Sequence, residues 1–326
     1  MEGRERPGQA EALRRGQRWK RAIGWAFVAL SVAFVLLLLV RQGGELPRLR
    51  SDLRAFGWNL RPGWLIAALA VGVANLFFMG AIWVWLFRAL GGAVSFREGV
   101  RVWMVTNLGR YIPGKLWQLS GLAYYMRDRR QAGASALTAA GLFQLLVLGT
   151  GVAVSAITLG KKFLAGGATV PIAVVLLLLV VVLARPSLTG GVTRALARRF
   201  GETPPEKPPS ARFTLAAAVG LVGAWLVNGV GLWCVWRGAG GSAEPGMLTM
   251  AGVFAAAYVA GYLVLIAPGG LVVREGTMAG LLAVTAGVPV SVGAAVAVLA
   301  RLWAVATELL AAGLAGAIGN HERGEG

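Results

Sequence analysis

Histidine is almost missing. Among 326 residues only His321 is one, and it sits in the terminal stretch NHERGEG. The body of the chain therefore offers no Ser-His-Asp site and no histidine-ligated metal. Cysteine is as scarce: Cys234 stands alone in an apolar run, so no disulfide forms within the chain and cysteine usage leaves the redox compartment unread. The only aspartates, Asp52 and Asp128, fall in polar loops. A Gly-x-x-x-x-Gly-Lys-Ser/Thr loop is also lacking, which argues against ATP-driven work by this chain. These absences predict a protein that is not an enzyme and needs no cofactor. Any energy source is then a gradient or substrate supply, with Glu275 or Glu308 as candidate proton carriers.

Charge is thin as well. Only 14% of residues are charged and 57% are hydrophobic, where a soluble domain carries about a quarter charged. Several apolar runs reach the roughly 20 residues that cross a bilayer core as helix. The chain reads as an all-α polytopic membrane protein. Its net charge of +18 does not point to nucleic acid. The basic residues gather in polar segments beside the apolar runs, as topology signals and contacts for anionic head groups do.

Residues 1–22 form a basic tail with seven lysines and arginines, followed by the apolar run IGWAFVALSVAFVLLLLV at 23–40. The run is long and no A-x-A site follows it, so it is read as an uncleaved anchor rather than a signal peptide. Further spans are predicted at 64–88, 133–159, 168–184, 213–236 and 289–318, with another apolar stretch at 247–266. A single membrane domain over 23–319 divides into a first half at 23–184 and a second at 213–319. Between them lies a basic loop, 185–212, containing the proline-rich ETPPEKPPS. Residues 320–326 are a polar tail. Lysine and arginine counts place the N-terminal tail, RDRR at 127–130 and the 185–212 loop in the cytoplasm, with both termini inside. Loop 41–63 disagrees, because its five arginines would then lie outside.

One segment interrupts this pattern. GRYIPGKLWQLSG at 109–121 sets Arg110, Pro113, Gly114 and Lys115 in very apolar surroundings. Its flanking pieces, about 99–109 and 115–126, are too short to span; a 12-residue helix covers about 18 Å. Pro113-Gly114 breaks the helix between them. Either the pair dips into the membrane and returns as a re-entrant hairpin, or it lies flat on the surface. Leu108, Ile112, Leu116 and Trp117 around the break favour the hairpin.

The second half echoes the first. WLFRALGGAVS from Trp85 precedes IPGKLW at 112–117, and CVWRGAGGSAE from Cys234 precedes APGGLV at 267–272. By the predicted topology the echoing spans run in opposite directions. The expected architecture is about six full spans plus two re-entrant helical hairpins, arranged as an inverted repeat. A pseudo-two-fold axis in the membrane plane makes inward-open and outward-open states near mirror images of similar energy.

Helix starts after Pro-Gly, at Lys115 and Leu271, offer N–H groups that lack intrahelical partners and attract anions. Broken backbone at membrane depth usually lines a cavity. Gly114, Gly269 and Gly270 permit close approach, and Arg110, Lys115 and Arg274 stand nearby. The competing reading is a pair of plain surface turns. Arg301 falls near the middle of the last span, where a charge costs at least ~2.5–3.5 kcal/mol and normally faces a polar interior. Glu308 follows two helical turns on, about 10.5 Å away, too far for a direct pair. Either the two mark ends of a polar track or they meet partners on another helix, such as Arg274-Glu275; a structural ion-pair cluster is the alternative. Asn107, one turn before Tyr111, is a ligand candidate. Asn75, Gln144 and Asn228 are read as interhelical glue, and the tryptophans other than Trp117 as belt and packing residues.

NLGRYIPGKLWQLSG at 107–121 and APGGLVVREGTMAGLL at 267–282 resemble the two hallmark segments of the flippase-like transmembrane region of lysylphosphatidylglycerol synthases. The resemblance covers roughly residues 20–319. It implies a stand-alone member of that family, without the soluble domain that makes the aminoacyl lipid, in a bacterial or archaeal cytoplasmic membrane. It implies lipid translocation and assigns motif positions to Arg110, Tyr111, Pro113, Gly114, Lys115 and Trp117, then Pro268, Gly269, Gly270, Arg274 and Glu275. Val272 stands where the family commonly has a further glycine. The expected partner is an anionic lipid, a phospholipid or a polyprenyl-phosphate lipid, moved by alternating access. The alternative is a lipid-binding subunit serving a separate lipid-modifying enzyme, a synthase or glycosyltransferase; an integral membrane transferase using Glu275 or Glu308 as base is a third reading.

Overall fold

The computed structural model describes residues 51–52, 54–108, 133–160, 169–200, 210–242, 244–263 and 273–321. The span expected at 23–40, the Pro-Gly segments within 109–121 and 267–272, and residues 201–209 of the linker lie outside them. Among the described residues the chain is all helix. The elements are α1 (Pro62–Ala89), α2 (Phe96–Asn107), α3 (Gly133–Leu159), α4 (Thr169–Ala184), α5 (Pro186–Phe200), α6 (Ala211–Gly238), α7 (Met247–Leu263), α8 (Val273–Ala286) and α9 (Val290–His321).

Among the described residues four helices are long and apolar enough to cross a membrane: Pro62–Ala89, Ala134–Leu159, Ala211–Gly238 and Val290–Ala317. A fifth crossing arises if α4 and α5, bent by 85° at their junction, count as one. This is a multi-pass membrane protein. Large apolar side chains such as Ile66, Leu177, Leu215 and Leu309 stand exposed along its helices, as a lipid-facing surface requires. The 17 residues of α7, 14 of α8 and 12 of α2 are each shorter than the roughly 20 needed to cross alone.

The stretch 185–212 corrects the sequence reading. It is not a loop throughout, because Pro186–Phe200 folds as α5. Proline is tolerated at the first helical position. Thr189, Thr193 and Ala197, spaced four apart, form a buried stripe, while Arg194, Arg198 and Arg199 are exposed. Gly190-Gly191 and the basic residues masked this amphipathic pattern in the sequence.

Helices α1 and α6 organise the bundle. Each has 28 residues, and they pack antiparallel. The N–H of Arg61, just before α1, donates to the carbonyl of Gly238 at the end of α6. Next in line, the Trp64 and Trp233 rings meet edge-on with centroids 5.1 Å apart. Midway, the Asn75 amide donates to the Ala224 carbonyl at 3.1 Å. At the other end Trp85 lies against Phe213, 3.8 Å between centroids.

The two helices also stop in the same way. At the end of α1 the Gly91 N–H donates to the Arg88 carbonyl and the Gly92 N–H to that of Phe87. At the end of α6 Gly240 donates to Arg237 and Gly241 to Trp236. Both are Schellman motifs, which need a left-handed residue; Gly91 has φ +87° and Gly240 φ +105°. A Cβ on Gly92 would strike the Phe87 ring, and one on Gly241 the Trp236 ring. Downstream, the Ser95 hydroxyl caps α2 by accepting from the Glu98 N–H at 3.2 Å, and the Ser135 hydroxyl of α3 donates to the Leu90 carbonyl at 2.6 Å.

In lipid, helices associate by close packing rather than by escape from water. Accordingly Trp83, Leu86, Phe87, Leu146, Leu221, Trp236 and Met250 fill the bundle interior. Small residues set the approach. A Cβ on Gly231 of α6 would collide with the Trp303 indole of α9.

A polar cavity inside the helical bundle

A cavity of about 410 Å³ opens among seven helices. Its described lining comes from α1 (Gly72, Leu76, Met79, Trp83), α2 (Trp103, Thr106, Asn107) and α3 (residues including Phe143, Gln144 and Val147). From the second half come Trp225 and Asn228 of α6, Phe254, Tyr258 and Tyr262 of α7, Arg274 of α8, and Trp303, Thr307 and Glu308 of α9. The volume falls in the range typical of small-molecule sites.

Three residues singled out in the sequence meet here: Asn107, Arg274 and Glu308. Asn107, 4% exposed, ends α2. Arg274 enters from the first turn of α8, its guanidinium carbon 5.1 Å from the Phe254 ring centre and 5.8 Å from that of Tyr258. Such cation–π contacts set the half-buried guanidinium against the aromatic wall.

Glu275 and Arg301 lie beside the cavity. Arg301 Nη1 is 3.7 Å from Glu275 Oε1, and the side chains are 7% and 5% exposed. This ion pair joins α8 to α9 and lies beside Arg274, Met278, Ala297 and Ala300. Arg301 therefore faces protein, not lipid, and its partner is on another helix. Glu308, two turns along α9, lines the larger cavity instead. Arg110, Tyr111, Gly114, Lys115, Trp117, Gly269 and Gly270 lie outside the described residues.

Sequence reasoning missed most of the wall. Gln144 and Asn228, read as glue, line the cavity, whereas Asn75 does bridge two helices. Trp225 and Trp303 are packing residues of the buried core rather than belt residues, and both also line the cavity. The Trp225 indole N–H of α6 donates to the Val147 carbonyl at 3.2 Å and the Thr150 hydroxyl at 3.1 Å, both on α3. The Trp303 indole N–H of α9 donates to the Ala68 carbonyl of α1 at 2.8 Å. Both rings are thereby fixed at the cavity. Their one sequence signal is position, since each lies well inside its apolar run rather than near its end.

The model of the family described as lysylphosphatidylglycerol synthase TM region matches residues 17–312. No curated protein and no solved structure matches the chain.

Proposed function

The chain belongs to the lysylphosphatidylglycerol synthase TM region family, and on that premise we propose that it moves an anionic, phosphate-bearing lipid between the leaflets of the cytoplasmic membrane by alternating access. The observation that carries this reading is the cavity itself: helices from both halves wall it, and Arg274 reaches it from one of them. Most polar groups buried in a membrane bundle pair off between helices. Asn107, Gln144, Asn228, Arg274 and Glu308 instead converge on a space large enough for a head group.

In this reading the chain is an inverted repeat of about six spans and two re-entrant hairpins, with both termini cytoplasmic. The antiparallel packing of α1 and α6, their equal length and their twin Schellman ends support it. Arg110, Tyr111, Gly114, Lys115 and Trp117 of the first hairpin, and Gly269 and Gly270 of the second, join Arg274 in holding the phosphate. Acyl or prenyl chains stay in lipid while the head group crosses. The chain makes and breaks no covalent bond.

The test is transport by pure protein. Proteoliposomes carrying a trace of fluorescent phosphatidic acid, phosphatidylglycerol or a short polyprenyl phosphate are treated with an impermeant quencher. Faster loss of the protected inner-leaflet signal than in protein-free vesicles, reduced at least tenfold by Arg274→Gln, is the expected result. Equal rates with and without protein across the whole panel overturn the proposal.

A further inference from the structure

The walls of the cavity are more specific than a phosphate site requires. Eight of its 24 described lining residues are aromatic, against 9% of the whole chain. Two of the indoles, Trp225 and Trp303, spend their N–H groups on backbone carbonyls of neighbouring helices. What they leave for a ligand is flat carbon surface held in a fixed orientation. Between such surfaces stand the amides of Asn107, Gln144 and Asn228 and the carboxylate of Glu308. The Gln144 Nε2 is buried and has no hydrogen-bond partner among the described residues.

We infer that the head group accepted here carries a polyol, a sugar or cyclitol ring, in addition to its phosphate; this rests on the lipid-transport reading above and narrows its substrate. Sugar rings stack their C–H faces on aromatic surfaces. Their hydroxyls both donate and accept, so one ring satisfies amide donors, amide acceptors and a carboxylate together. A bare phosphate only accepts, and Glu308 would repel it. An ammonium head group would suit aromatic rings and a carboxylate, but the Arg274 cation already lies against Phe254 and Tyr258.

The full chain in lipid nanodiscs is titrated calorimetrically with three lipids that share dioctanoyl tails. Phosphatidylinositol presents phosphate and a polyol, phosphatidic acid presents phosphate alone, and phosphatidylethanolamine presents an ammonium. Phosphatidylinositol is expected to bind at least tenfold more tightly than either of the others. Gln144→Met and Asn228→Leu should each weaken it at least tenfold while weakening phosphatidic acid less than threefold; measurable phosphatidic acid binding certifies that each variant is folded. Equal affinity for phosphatidylinositol and phosphatidic acid, or a preference untouched by both variants, overturns this inference and leaves the anionic-lipid reading standing. A preference for phosphatidylethanolamine also overturns it. Absence of binding to both phosphate monoester and inositol lipids sinks both readings.

Discussion

Asn75 of α1 donates its side-chain amide to the carbonyl of Ala224 on α6, a residue 149 positions further along the chain. The same interval separates Pro62 from Ala211, where the two helices begin, and Ala89 from Gly238, where they end. The bond thus joins the midpoints of two antiparallel helices at corresponding places. Because the Ala224 carbonyl lies within a helix, losing the amide removes one interhelical bond and little else. Asn75→Leu should lower stability by about 0.6–1.7 kcal/mol, the span measured for such bonds in membrane bundles. Thermal unfolding in detergent would show it, and an unchanged midpoint would mean the bond contributes nothing.

The twin helix ends make a paired prediction. Gly91→Ala and Gly240→Ala each force a left-handed backbone onto an L side chain, at φ +87° and +105°, costing about 1–2 kcal/mol. Gly92→Ala and Gly241→Ala keep an ordinary backbone but press a methyl into the Phe87 and Trp236 rings. All four variants should lose stability in thermal melts; Gly92→Ala and Gly241→Ala should do so alike, and Gly240→Ala should lose more than Gly91→Ala because its Cβ would also meet the Asn59 backbone N at 2.9 Å. A large difference between Gly92→Ala and Gly241→Ala would show that the two ring contacts are not equivalent.

The Arg301–Glu275 pair predicts an asymmetry between single and double variants. Arg301→Leu strands a carboxylate in the bundle and should cost about 3–5 kcal/mol, whereas Arg301→Leu with Glu275→Leu should recover much of that loss. Denaturant unfolding of the purified variants distinguishes the cases. Additive losses would remove the coupling.

The indole bonds of Trp225 and Trp303 tie α6 to α3 and α9 to α1. Phenylalanine keeps the ring surface and deletes the N–H. Trp225→Phe and Trp303→Phe together should loosen the described arrangement. Spin labels at the exposed positions Ile66 of α1 and Leu309 of α9 should then report a broadened or second distance population. A single distribution matching that of the parent would show that these bonds do not hold the arrangement.

The sequence made the long helices legible and the cavity largely not, for one physical reason. Where lipid lies outside, the interior and exterior faces of a helix are both apolar, so α1, α3, α6 and α9 announce their length but not which side is buried. Charged residues escape this degeneracy because the membrane penalises them. Arg301 and Glu308 are therefore conspicuous in the sequence, and of the partners it offers on another helix, Arg274-Glu275, Glu275 is the one that lies beside Arg301. Trp103, Trp225, Phe254 and Trp303 carry no such penalty; the mid-run positions of Trp225 and Trp303 set them apart from belt residues but not from ordinary packing. Helix α5 is hidden differently: its glycines and arginines have the composition of a loop, and only the fold places Thr189, Thr193 and Ala197 on one buried face.

The crossing of α1 and α6 at Asn75 and Ala224 also fixes where leverage is available. Fourteen residues separate Asn75 from Ala89, so each helix extends roughly 21 Å from that point. A tilt of about 10° between the two rods would swing those tips by roughly 3.6 Å on that arm length while leaving the crossing itself nearly still. On the transport reading proposed above, a fulcrum there would let the Arg61–Gly238 end part while the Trp85–Phe213 end closes, with the amide bond between them scarcely stretched.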